Sequence, residues 1–129
     1  MSDAPSQKPL ALVVDDYHSM RVTLRELLEE LGFAVEEAEN GLEGLEKAKG
    51  KKYNLIFTDI VMPVMDGLEL CNEIKTHPTL NKIPVVVLST HTDATYLVKA
   101  ISMGADDYVP KPIERALLQK VVTRLTDGY

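Results

Sequence analysis

Five residues carry groups fit for chemistry, and each follows or ends an apolar run. Asp15-Asp16 follows Leu10–Val14, Asp59 closes Leu55-Ile56-Phe57-Thr58, Ser89 closes Ile83–Leu88, and Lys111 follows Tyr108-Val109-Pro110. Three carboxylates brought together repel one another, and removal of water sharpens the repulsion. Such a cluster either shares protons or binds a hard cation. An oxygen-only donor set suits Mg²⁺, which keeps several waters and takes one or two carboxylates, with Mn²⁺ as the second choice. Lys111 is a compact positive charge able to pair with Asp59 or with a phosphoryl oxygen, and Ser89 supplies a hydroxyl donor. A nucleophilic carboxylate, a divalent cation, an ammonium and a hydroxyl are together what phosphoryl transfer needs.

The elements must bring these residues together across about a hundred positions of sequence. Apolar runs of four to eight residues ended by turn residues read as strands buried on both faces. The first is Leu10–Val14. A helical stripe of Met20, Leu24, Leu27, Leu28 and Leu31 follows and is stopped by Gly32. Ala34–Ala38, with glutamates inside it, suits a sheet edge. Asn40-Gly41-Leu42-Glu43 opens a helix that ends before Gly50, and Asp66-Gly67-Leu68-Glu69 opens another through Leu70, Ile74 and Lys75. His77–Lys82 is a loop and Ile83–Leu88 a buried strand. Helical spacing returns at Tyr96, Leu97 and Ile101 until Gly104, then a short strand at Tyr108-Val109 precedes a helix carrying Ile113, Leu117, Leu118, Val121, Val122 and Leu125.

Strand and helix thus alternate five times. Unalternating strands joined by helix-length crossovers predict an α/β doubly wound domain with a parallel sheet and right-handed connections. In a parallel sheet the C-terminal strand ends share one rim, where ligands bind. Taken singly, Asp15-Asp16 reads as a helix start, Asp59 as a turn residue, Ser89 as a cap and Lys111 as surface. Complementary groups on four strand ends of one rim favour a functional site.

Composition is that of an ordinary globule: 129 residues, 45% apolar and 26% charged. A net charge of −6 argues against nucleic acid or an anionic membrane as direct partner. No apolar run approaches a membrane span, and Met1–Pro9 lacks the apolar core of a signal peptide. A single cysteine, Cys71, allows no internal disulfide and fits a cytoplasmic location. Residues 1–8 are expected as a disordered leader, 9–126 as the domain and 127–129 as a tail.

Val14-Asp15-Asp16, Thr58–Gly67, Leu88-Ser89-Thr90 and Gly104–Pro112 resemble the receiver domain of two-component response regulators, over about Pro9 to Leu125. The Asp15–Arg21 segment is similar to single-domain, CheY-like members. The resemblance implies a five-stranded sheet in order 2-1-3-4-5 with five helices, and a cis Lys111-Pro112 bond. It implies that Asp59 accepts a phosphoryl group from a histidine kinase or histidine phosphotransfer domain. Asp16, Asp59 and the backbone carbonyl of Val61 would ligate Mg²⁺, with Asp15 acting through water. Ser89 and Lys111 would bind the phosphoryl group while Tyr108 swings from exposed to buried. That movement would remodel a partner face containing Tyr96, Lys99, Tyr108, Arg115 and Gln119 for a flagellar switch or other target protein. The chain is then a signalling module rather than an enzyme.

Some positions depart from the family pattern. Val61 offers no polar side chain, Thr90 replaces a very small residue, and His91 sits two positions after Ser89; these leave phosphoryl lifetime open. Because the chain ends just after its last helix, no DNA-binding output is expected. Protein contact in chemotaxis or motility is the first expectation, with a phosphorelay intermediate or phosphate sink as the alternative. A flavodoxin-like cofactor binder would need a glycine- or hydroxyl-rich loop where Asp15-Asp16 stands. An aspartate-dependent phosphatase would need a second carboxylate at Val61.

Overall fold

The computed structural model describes residues 8–90 and 94–126. The expected leader apart from Lys8, the tail at 127–129 and His91 lie outside the described residues. Ten elements alternate: β1 (Leu10–Val14), α1 (His18–Glu30), β2 (Ala34–Ala38), α2 (Gly41–Gly50), β3 (Leu55–Asp59), α3 (Gly67–Thr76), β4 (Val85–Ser89), α4 (Ala94–Ser102), β5 (Asp107–Pro110) and α5 (Arg115–Thr126). All four strand pairings are parallel, in the expected order β2-β1-β3-β4-β5.

Alternation along each strand divides the core between the two faces of the sheet. Ala11, Val13, Phe57 and Leu88 pack with Leu24 and Leu28 of α1 and Leu118 and Val122 of α5. Leu12, Val14 and Ile56 pack with Leu45 and Ala48 of α2 and Leu70 and Ile74 of α3. Ile60 and Val87 form a smaller cluster with Ala100 of α4. Residues 100 and 101 point about 100° apart on a helix, so only one can face the sheet. Ala100 takes that place and Ile101 is 61% exposed, against the expected stripe.

The ends of the helices follow their local chemistry. α1 passes through Leu31 to Gly32, whose φ of 97° is a conformation that only glycine adopts without strain. Asp66 and Glu69 close a complete capping box at α3. At α2, Asn40 accepts from the Glu43 N–H, but the Glu43 carboxylate takes the N–H of Glu39. α2 also runs through Gly50 rather than stopping before it, since the chain first turns extended at Lys51 (φ −146°).

Register then places the chemistry. Val14 lies opposite Thr58, Asp59 opposite Leu88, and Ser89 opposite Pro110. One residue further along each strand, Asp15, Asp59, Ser89 and Lys111 come to the same rim.

Candidate functional site

Asp15 leaves β1 fully buried, with every polar group engaged. Its N–H donates to the Ala38 carbonyl at 3.1 Å, and its own carbonyl accepts from Arg21 Nη1 at 2.7 Å. Oδ1 accepts from the Tyr17 N–H at 2.9 Å, and Oδ2 lies 3.0 Å from Lys111 Nζ. Lys111 also reaches Asp59 Oδ2 at 3.4 Å, so one buried ammonium bridges two carboxylates. The sequence offered Asp59 or a phosphoryl oxygen as the partner of Lys111; its shorter contact is with Asp15.

Asp59 ends β3 at 8% exposure, and its Oδ1 accepts from the Ile60 N–H at 2.8 Å. Burial pushes its carboxyl above the ordinary range; Lys111 opposes that rise and the Asp15 charge reinforces it. Asp16 is exposed at the mouth of the site. Each of Asp15, Asp16 and Asp59 offers an oxygen, all within 4.8 Å of one another. Three carboxylates against one ammonium leave the cluster negative, and its donors are all oxygen. The set therefore fits a hard dication such as Mg²⁺.

A cavity of about 220 Å³ opens over the cluster, walled by Asp59, Ile60, Val61, Ser89, Thr90 and Lys111 with Asp16 and Tyr17 at its edge. Ser89 is buried and Thr90 exposed, so the hydroxyls stand at different depths. The Val61 side chain is 57% exposed. Below the site the β3–α3 loop is held tightly. The Gly67 N–H donates to Ile60 O at 2.8 Å, and a Cβ at Gly67 would overlap the Asp59 carbonyl oxygen. Glycine is needed there for close approach.

The residues of the expected partner face lie further off. Tyr108 is half-buried against the cluster of Ile60, Val87 and Ala100, and borders a second cavity of about 290 Å³ between α4 and β5. Tyr96 packs on the same cluster, and Lys99 and Gln119 are exposed. Arg115 is ion-paired with Glu30, so its charge is engaged at the seam of α1 and α5. The Lys111-Pro112 bond is cis, as the resemblance implied.

Sequence reasoning missed the buried Arg21. It occupies the inner stripe of α1 with Leu24 and Leu28, and its spacing of three and seven from them was the available signal.

Comparison with known proteins agrees with this architecture. Residues 11–123 match the response regulator receiver domain family. A gliding motility regulatory protein of Myxococcus xanthus is 36% identical over 128 residues, covering 98% of this chain and 16% of that protein. The chain spans about half or less of the length of the curated relatives it matches. Among solved structures, the receiver domain of a signal transduction histidine kinase from Syntrophus aciditrophicus superposes with a TM-score of 0.86. It is 34% identical, and the match covers 92% of this chain and 90% of that one. The chemotaxis protein CheY4 of Vibrio cholerae also reaches 0.86, at 29% identity over 92% of this chain and 99% of that one. With the family match running from β1 into α5, the chain belongs to the response regulator receiver domains.

Proposed function

We propose that Asp59 is the phosphoacceptor. The observation that carries this is a buried carboxylate, raised in pKa by burial, whose Oδ2 faces Lys111 inside a cluster of three aspartates. A phosphoryl group leaves the imidazole nitrogen of a phosphohistidine on a histidine kinase or histidine phosphotransfer domain; the N–P bond breaks and an Asp59 O–P bond forms. Asp16, Asp59 and the Val61 carbonyl would hold Mg²⁺, with Asp15 acting through water. The bound cation would supply charge neutralisation to the incoming phosphoryl oxygens. Lys111 then meets one of those oxygens and Ser89 another, while Thr90 at the mouth sets access.

Phosphorylation adds about −1.5 to −2 charge beside Ser89 and Lys111. The cavity next to Tyr108 gives its ring room to move inward. Its movement would alter the surface carrying Tyr96, Lys99, Arg115 and Gln119 and so select a target protein. Likeness to CheY4 and to the gliding motility regulator favours a motility or chemotaxis output. Likeness to a histidine kinase's own receiver favours, second, a phosphorelay intermediate or phosphate sink. On either reading the protein is a cytoplasmic signalling module that works with a histidine kinase, not a turnover enzyme. Among the described residues no helix is long and apolar enough to cross a membrane.

Incubation with acetyl phosphate and Mg²⁺, followed by intact mass, tests the proposal. One phosphoryl group should be gained, blocked by chelator and lost in Asp59→Ala; an unlabelled wild type would refute it.

A further inference from the structure

We propose that Arg21 is a positioning residue for the acidic site: by holding the Asp15 carbonyl it aims the Asp16 carboxylate. This rests on the reading above, in which Asp16 serves the cation. Asp16 needs such help. Among the described residues no hydrogen bond or ion pair restrains its exposed side chain, yet its oxygen lies within 4.8 Å of those of Asp15 and Asp59. With the side chain free to turn, only the backbone fixes where its Cα–Cβ bond starts and points.

The peptide plane entering Asp16 begins at the Asp15 carbonyl, and a planar peptide turns as one body. Arg21 Nη1 fixes that carbonyl at 2.7 Å from within the core. The guanidinium is itself anchored: Nε sits 2.9 Å from Glu37 Oε1, and Arg25 Nη1 holds the other Glu37 oxygen at 2.7 Å. A rigid planar fork can serve both contacts at once, which a lysine ammonium cannot do in the same geometry. The chain Glu37–Arg21–Asp15 thus carries the position of β2 and α1 into the site.

A plain tie between α1 and β2 would predict something different. Removing either Arg21 or Glu37 would then be equivalent, and neither would change cation binding beyond its effect on folding. The experiment is a Mg²⁺ titration of metal-free, isotope-labelled protein, reading the amide signals of Asp16 and Tyr17 by NMR. Arg21→Met should weaken Mg²⁺ binding by about 10- to 100-fold, the usual effect of removing an outer partner of a metal ligand. Arg21→Lys should recover part of the loss. Glu37→Gln, which leaves the Asp15 contact in place and loses only part of the anchor, should lower Tm and weaken Mg²⁺ binding less than either Arg21 variant does. Wild-type affinity in Arg21→Met, or equal losses in Arg21→Met and Glu37→Gln, would overturn the proposal. Should Arg21→Met not fold, the ordering persists: Arg21→Lys must bind more weakly than Glu37→Gln, and the reverse order would refute it. A wild type that takes up no Mg²⁺ would instead remove the metal reading itself.

Discussion

Burying Asp59 works against stability, and the fold recovers it through packing elsewhere. The sign follows from its raised pKa. The stability associated with that rise is fully present below the unfolded carboxylate pKa and is lost as pH climbs through the folded value. In metal-free protein, Asp59→Asn should therefore match wild type in acid and exceed it at neutral pH. The gain should appear as a higher Tm that grows as pH rises toward neutral, with calorimetry across pH as the check. A neutral-pH loss of stability would show that Lys111 outweighs burial. Lys111→Met should act oppositely, since it strips the counter-charge from a fully buried Asp15 and from Asp59. Removing one partner of a buried ion pair typically costs on the order of 3 kcal/mol. In an Asp59→Asn background the cost should shrink, and a double-mutant cycle by urea denaturation measures the difference.

At the scale of elements, the β3–α3 connection fixes Asp59. A Cβ at Gly67 has nowhere to go but into the Asp59 carbonyl. Gly67→Ala should cost several kcal/mol in chemical denaturation, well above the usual range for a point change. The α4–β5–α5 surface should respond to the site: an acyl-phosphate analogue on Asp59 is expected to shift amide signals from Tyr96 to Gln119, and unchanged signals would break the proposed link. The elements themselves were legible in the chain because parallel strands need continuous apolar runs. Capping pairs at Asn40 and Asp66 marked two helix starts for the same reason of local chemistry. Where the structure departs from the local pattern, the cause is tertiary. Ile101 fits a helical stripe as well as Ala100 does, and only the position of Val87 and Ile60 decides which faces inward. Arg21 shares the inner stripe of α1, but its charge is accounted for only once Asp15 and Glu37 are in place around it.

On the scale of the whole molecule, sheet order is what makes one site of residues spread from Asp15 to Lys111. Their types could be read from sequence, but the bridging of two carboxylates by Lys111 depends on the register of β1, β3 and β5 about β4, which no local pattern encodes. A cation bound by the folded cluster and not by the unfolded chain should stabilise the whole domain by mass action, by about 2.7 kcal/mol at a hundredfold excess over Kd. Chelation should abolish the rise in Tm, and Asp16→Asn should reduce it. The central claim is more direct still: Asp59 takes the phosphoryl group. Borohydride reduces an acyl phosphate to an alcohol, so phosphorylated protein so treated and sequenced by tandem mass spectrometry should carry homoserine in place of aspartate at position 59. Homoserine at another aspartate, or none after demonstrable phosphorylation, would contradict the account.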